Sequence, residues 1–269
     1  DNDVDNDGDV DIDFDRSKER IRLVNNGGFR DVWMITEYDG KHRAMKTLRY
    51  SPKRHFDLRN FDRHRRDALA FDQLSHSKFV VDIYGHCSNS ALFDYCSGGD
   101  LFEIHNTEST PPPSKQQLLR VAYEIALSVS HAHNFLDGNK PTIAHTDIKP
   151  DQWILIDGSY KLNDFNRARF LAWDTEANET CPFSVGKNGG IWRSPEEYNY
   201  LPETEKVDIW SLGSVLFFLW TNMEPFELNE DEEREPNSNN NQEQKQRLET
   251  SDIIKLISNG QRPDLPLSL

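Results

Sequence analysis

The sequence is short of cysteine, of long apolar runs and of net positive charge, and each shortage excludes something. Its three cysteines, Cys87, Cys96 and Cys181, are unevenly spaced and make neither a disulfide framework nor a metal-ligand cluster. That suits a reducing compartment, and the expected setting is intracellular and cytoplasmic. The longest apolar run, Val215 to Trp220, is far too short to span a bilayer, so no membrane insertion is expected. A net charge of −15 and a pI near 5.0 argue against a nucleic-acid backbone or an anionic membrane as main partner. No signal peptide and no internal repeat is legible. The 269 residues can hold one large domain or two lobes with an ample core.

What is present begins with acid. Asp3, Asp5, Asp7, Gly8, Asp9, Val10 and Asp11 fit the opening of a calcium loop. Phe14 stands where the closing carboxylate is needed and no helix precedes the loop, so residues 1–20 read as a solvated, disordered tail. From Ile21 the texture changes. Leu23 and Val24 lead into Asn25-Asn26-Gly27-Gly28-Phe29-Arg30-Asp31-Val32, then Met34-Ile35, a turn at Asp39-Gly40, and Arg43-Ala44-Met45-Lys46. This predicts strand, glycine-bearing hairpin, strand, tight turn, strand. Glycines in such a hairpin let backbone amides approach phosphates, and Ala44 is small enough to admit a flat ring near Lys46.

Apolar spacing over Phe56–Leu74 predicts a helix. Its run Arg63-His64-Arg65-Arg66 reads as a solvated face, with a patch for an acidic partner as the alternative. A strand pair is expected at Phe79–Tyr84 and Ala91–Tyr95. Ser114 and Gln117 form a capping box ahead of a stripe of Leu118, Val121, Ala122, Ile125, Ala126 and Val129, which predicts a core helix. His131 and His133 near its end read as packed or exposed side chains rather than metal ligands. An irregular segment covers Arg167–Arg193, and an apolar helix runs from Asp208 to Thr221. Residues 227–249, rich in Glu, Asn and Gln, read as a disordered insertion, and a short amphipathic helix follows at Asp252–Ser258.

The chemistry concentrates in His145-Thr146-Asp147-Ile148-Lys149-Pro150-Asp151-Gln152, followed by Asn163-Asp164-Phe165-Asn166. One carboxylate to orient a hydroxyl, a lysine to offset phosphate charge and a second carboxylate to hold a metal are the parts of phosphoryl transfer. Two Asp-rich surface turns would give the same spacing, so the order of the other parts has to decide.

That order resembles the eukaryotic-type protein kinase fold from Leu23 to Pro266. The set comprises the Gly-rich hairpin, Ala44-Met45-Lys46, His145-Thr146-Asp147-Ile148-Lys149-Pro150, Asp164-Phe165, Ser194-Pro195-Glu196, Asp208-Ile209-Trp210-Ser211-Leu212-Gly213 and Gly260-Gln261-Arg262-Pro263. The resemblance implies an α+β bilobal architecture: a small β-rich lobe and hinge at 21–97, and a mainly helical lobe at 98–269 expected to lack its last helices. It implies ATP with Mg2+ (Mn2+ possible) as cofactors, and a protein substrate as partner. Oligomeric state stays open. Lys46 would hold the α- and β-phosphates, Asp147 the substrate hydroxyl, Lys149 the γ-phosphate, and Asp164 with Gln152 the metal. Val24, Gly27, Val32, Ala44 and Ile154 would surround the nucleotide. Phe93 would stand behind a hinge of Asp94-Tyr95-Cys96, and Asp100 near the ribose. Ile83, Phe71, His145 and Phe165 would stack as a spine anchored through Asp208.

The departures from the family pattern matter as much. Asn25 and Arg30 replace two glycines of the hairpin, and Arg tolerates left-handed backbone poorly. No glutamate lies between Pro52 and Leu74, so Asp67 is the expected partner of Lys46, on an arm shorter by ~1.5 Å. Gln152 replaces an asparagine, and Asn166 a glycine whose position favours positive φ. Thr146 replaces the arginine that reads a phosphorylated activation loop, so control by that pairing is not expected. Glu196 is expected to lack its arginine. The main reading is an ATP-dependent protein kinase acting on Ser/Thr. The alternative is a pseudokinase working as a nucleotide-binding or scaffolding module, with a small-molecule kinase disfavoured by the Ser194-Pro195-Glu196 and Asp208 motifs.

Overall fold

Period-two alternation builds the first layer. In the computed structural model, which describes residues 20–49, 57–106, 111–136, 140–227 and 248–265, three strands follow one another as a meander. They are β1 (Ile21–Asn26), β2 (Arg30–Thr36) and β3 (His42–Leu48). Ala44, Lys46 and Leu48 alternate inward along β3. The antiparallel register pairs Arg30 with Leu48, Val32 with Lys46 and Met34 with Ala44, so Arg30 and Val32 share the inward face with Lys46. Helix α1 (Leu58–Gln73) starts where the Asp57 side chain accepts from the Arg59 amide. Strands β4 (Ile83–Cys87) and β5 (Ser90–Asp94) complete one five-stranded sheet in the order β1-β2-β3-β5-β4. The acidic run with its calcium-like spacing and most of the Glu/Asn-rich insertion lie outside the described residues.

One strand sits differently from expectation. The segment expected at Phe79–Tyr84 enters the sheet only at Ile83, because Phe79–Val81 is stitched to the other lobe instead. The Val81 amide donates to the Leu162 carbonyl (3.0 Å) and the Leu162 amide to the Phe79 carbonyl (2.8 Å).

The second lobe is mainly helical. Ser114 and Gln117 make the expected capping box on α2 (Lys115–His133), whose Leu118, Val121, Ile125 and Val129 are buried. Short antiparallel pairs frame the loops that follow: β6 (Ile143–Ala144) with β9 (Arg169–Phe170), β7 (Trp153–Ile156) with β8 (Ser159–Leu162), and β10 (Trp173–Asp174) with β11 (Glu179–Thr180). Helix α3 (Pro195–Tyr198) opens with a second capping box, Ser194 and Glu197. Helix α4 (Lys206–Thr221) is apolar all round and packs on α2, and α5 (Thr250–Ser258) covers α3.

The lobes meet through rings. Phe71 of α1 lies 4.9 Å from Phe93 and 5.0 Å from Phe165, and Phe165 lies 4.7 Å from His145. Phe71, Phe93 and Phe165 are each at most 1% exposed, and burying such a ring contributes about 1.5–3 kcal/mol. Below the stack the buried Asp208 carboxylate accepts from the amides of His145 (2.7 Å) and Thr146 (2.8 Å) and bonds the His133 ring (2.9 Å). His131 packs on Phe79 and bonds Ser77 (2.7 Å), so both histidines are held as packed side chains. The α+β bilobal architecture is as the sequence implies. No helix among the described residues is long and apolar enough to cross a membrane.

Candidate active site

Left-handed backbone marks both aspartate motifs, next to Asp147 in one and at Asp164 itself in the other. Thr146, pinned by Asp208, adopts φ 58°, and its hydroxyl donates to the Arg167 carbonyl (2.8 Å). Asp164, just past β8, itself adopts φ 59°. Non-glycine residues in this region store strain that neighbours must hold, and such strain gathers at functional sites. The left-handed residue is therefore Asp164 and not Asn166. Asn166 lies in a 3-10 turn (Phe165–Arg167), and its amide donates to Asp164 Oδ1 (2.5 Å).

The expected Lys46–Asp67 pair does not form. Lys46 Nζ donates to Asn163 Oδ1 (2.9 Å) and lies over the Phe93 ring at 4.6 Å. Asp67 is bonded by Arg30 Nη1, and Arg30 Nη2 reaches Asp164 Oδ1 at 2.5 Å. The cause is register: Arg30 sits on the inward face of β2, and its long guanidinium spans the gap that the short Asp67 leaves. Nor is Arg30 left-handed, since it is the first residue of β2 and has no positive φ. Arg30 is 6% exposed and Asp67 1%, so this is a buried pair, and removing the arginine would leave a buried carboxylate without its cation.

These charges act on one another. Burial pushes the Lys46 ammonium down, the carboxylates of Asp67 and Asp164 offset part of that, and Arg30 adds to it. Burial would raise the Asp164 carboxyl. The charges of Arg30 and Lys46, with the Asn166 amide, outweigh it and hold Asp164 well below the usual carboxylate range.

Gln152 is placed beside Asp164 because the Asn163 amide donates to the Gln152 carbonyl (2.8 Å). Its side-chain nitrogen donates to Asp151 Oδ1 (3.0 Å), while its Oε1 is buried with no partner. An orphaned amide oxygen costs about 1–3 kcal/mol, and a hard divalent cation takes such an oxygen together with a carboxylate. The residues present therefore fit a metal ion.

Of the residues expected around a nucleotide, Ala44 and Phe93 are cross-strand partners and both are buried, while Val32 and Ile154 are half-buried. Gly27 donates its amide to the Arg30 carbonyl (2.8 Å), and a Cβ there would meet that oxygen at 3.3 Å. Val24 lies in β1 and is exposed. The Asp94 carboxylate is taken by Tyr84 (2.5 Å), Arg43 (3.3 Å) and Lys161 (3.3 Å), so only backbone remains for a ligand at that residue. Cys96 Sγ donates to the Gly99 carbonyl (3.3 Å). Asp100 accepts from the Phe102 amide (2.9 Å) and pairs across a bridge with Ile154.

Asp147 Oδ1 accepts from Arg193 Nη2 at 2.6 Å. Arg193 Nη1 also reaches the Thr146 carbonyl (3.0 Å) and Glu197 Oε1 (3.1 Å). The buried, arginine-paired acid of this segment is thus Glu197, and Glu196 is exposed. Burial pushes the Glu197 carboxyl up to about 7, against the Ser194 amide and Arg193. Lys149 Nζ bonds Asp151 Oδ2 (2.6 Å). The basic run of α1 is not a plain solvated face, because His64 is buried and Arg63 and Arg66 are half-buried around a cavity of about 90 Å³ shared with Arg167 and Arg169.

The structure thus gathers Lys46, Asp67 and Asp164 around Arg30 and Asn163, ties Gln152 to Asn163 through its carbonyl, and bonds Asp147 to Arg193 and Lys149 to Asp151 on the adjoining loop. Sequence reasoning missed Arg30, Asn163 and Arg193. The signal for Arg30 was its two-residue step from Val32, and for Arg193 its four-residue step to Glu197.

Comparison with known proteins agrees with this geometry. The family model described as "Protein kinase domain" matches residues 19–262. Serine/threonine-protein kinase Nek5 of Homo sapiens is 29% identical over 215 residues, covering 78% of this chain and 28% of that protein. Serine/threonine-protein kinase Nek1 of Mus musculus is 31% identical over 213 residues, 77% of this chain and 16% of its own length. Serine/threonine-protein kinase Nek2 of Homo sapiens is 36% identical over 146 residues, 52% of this chain and 31% of its own length. The chain spans less than a third of each of these relatives. A matched model over nearly its whole length, on a bilobal fold, places this chain in the protein kinase domain family.

Proposed function

We propose that this domain transfers the γ-phosphoryl group of Mg-bound ATP to a serine or threonine hydroxyl of a protein. The observation that supports the reading is the placing of Lys46 on Asn163, next to Asp164, at a continuous Phe71–Phe165–His145 stack, with Asp147 bonded through its amide to the His145 ring. In the reaction the acceptor oxygen bonds to the γ-phosphorus as the bond to the β,γ-bridging oxygen breaks. The hydroxyl proton is taken up at Asp147, and ADP leaves. Lys46 offsets charge on the α- and β-phosphates and Lys149 on the γ-phosphate. The metal, held by Asp164 and Gln152, would supply further charge neutralisation on the phosphates. Gly27, Val24, Val32, Ala44 and Ile154 would enclose the nucleotide, with the backbone of Asp94 and Cys96 at its base edge and Asp100 at the ribose. Lys149, two residues after Asp147, and relatives whose names are serine/threonine-protein kinases support the acceptor type.

A pseudokinase is the second reading. It is favoured by one specific feature: both aspartates are bonded by arginines, Asp147 by Arg193 and Asp164 by Arg30. Incubation with labelled ATP, Mg2+ and a generic protein substrate, followed by identification of the labelled residue, separates the readings. Phosphoserine or phosphothreonine is expected. Phosphotyrosine overturns the acceptor assignment, and nucleotide binding with no transfer overturns the enzyme reading in favour of the pseudokinase.

A further inference from the structure

Arg30 occupies the site in a way that changes its metal chemistry. Its guanidinium and the Asn166 amide both fall on Oδ1 of Asp164, each at 2.5 Å, and two donors at that distance saturate the oxygen. No protein donor among the described residues bonds Oδ2, and the Asp164 side chain keeps 30% of its surface exposed. Gln152 offers a single further ligand atom: Nε2 is turned to Asp151, while Oε1 is buried, unpartnered and part of a side chain only 5% exposed.

Protein kinases commonly hold two divalent cations on the aspartate at the position of Asp164 and the catalytic-loop amide at the position of Gln152. We propose that Arg30 takes the place of one of them, so that this domain works with a single divalent ion bound between Asp164 Oδ2 and Gln152 Oε1. The inference rests on the kinase reading above.

Three features argue that the substitution is built in. Arg30 is anchored in β2 opposite Leu48, and its other arm bonds the buried Asp67. Withdrawing it would leave two carboxylates without their cation, one of them 1% exposed, so the guanidinium is a fixture of the fold. Charge closes locally as well: Arg30 and Lys46 balance Asp67 and Asp164 before any metal binds. A second dication would have to approach the oxygen that the guanidinium already holds, and like charges at that separation repel strongly. The side chain also arises where a family glycine would leave open space, so the charge is supplied by this sequence and not by the fold.

The test counts metal. The chain is saturated with a non-hydrolysable ATP analogue and titrated with Mn2+, and bound Mn2+ per bound nucleotide is read by electron paramagnetic resonance. One ion is expected for the wild type and for Arg30→Lys, and two for Arg30→Met. Two ions in the wild type overturn the proposal without recourse to any variant, as does bound nucleotide with no Mn2+. A count that stays at one in a folded Arg30→Met overturns the role given to Arg30. Absence of nucleotide binding in the wild type overturns the kinase reading itself, which is a separate failure.

Discussion

The two aspartates of the cleft are each bonded by an arginine, yet the two arrangements differ in what they join. Asp164 is held from across the lobes: Arg30 comes from β2 and ties it to Asp67 on α1. Asp147 is held from within its own lobe: Arg193 comes from the segment before α3 and ties it to Glu197 and the Thr146 carbonyl. The first arrangement couples the position of α1 to the carboxylate proposed to hold the metal. The second couples the catalytic loop to the segment expected to meet the protein substrate. A change in one should therefore be read in metal binding, and a change in the other in hydroxyl chemistry and in large-lobe stability.

Substitutions can break that contrast at graded strength. Asp147→Asn removes the proposed proton acceptor while keeping the shape, and phosphate transfer should fall about 10³-fold, with only a small loss of thermal stability from the weakened bond to Arg193. A comparable loss of the fold would contradict a purely catalytic role. Phe71→Ala cuts the aromatic bridge between the two centres, leaving a cavity between Phe93 and Phe165, and should cost about 3–4 kcal/mol in denaturant unfolding.

Arg193→Met leaves Glu197 buried without its cation and should cost about 3 kcal/mol near neutral pH. Its pH dependence follows from the raised carboxyl. A folded-state value of about 7, above the ordinary 4.5, gives a contribution fully present below 4.5 and lost as pH rises toward 7. Losing Arg193 pushes that carboxyl higher still, so the deficit relative to wild type should be larger at pH 8 than at pH 5. An equal deficit at both values would remove Glu197 from the account. Asp67→Asn, the mildest change, leaves Arg30 its bond to Asp164 and should cost about 1–2 kcal/mol, with Asp147-dependent chemistry altered least.

Much of this was legible in the chain, and the reasons differ by element. The hairpin, α2 with its capping box and the apolar α4 are written in local periodicity and caps, which tertiary contacts did not override. Lys46, Asp147 and Asp164 could be singled out as candidates because each sits in a short, ordered motif. The Lys46–Asp67 pairing failed because it assumed that the nearest carboxylate meets the lysine. The register of β2 against β3 instead delivers Arg30 to that carboxylate, and Lys46 turns to Asn163. Arg193 was invisible for a similar reason: its partner Asp147 is far away in sequence and is brought close only by the pinning of Thr146 on Asp208. The strand at Phe79 was misplaced because its backbone pairs with Leu162, a long-range bond that no alternation pattern encodes.

The division of labour between the aspartates is tested most directly by titrating Mg2+ in the transfer assay with wild type, Asp164→Asn and Asp147→Asn. If Asp164 acts by holding the metal and Asp147 by taking the hydroxyl proton, high Mg2+ should restore part of the activity of Asp164→Asn and none of that of Asp147→Asn. Equal rescue of both variants, or rescue of Asp147→Asn alone, would contradict the assignment.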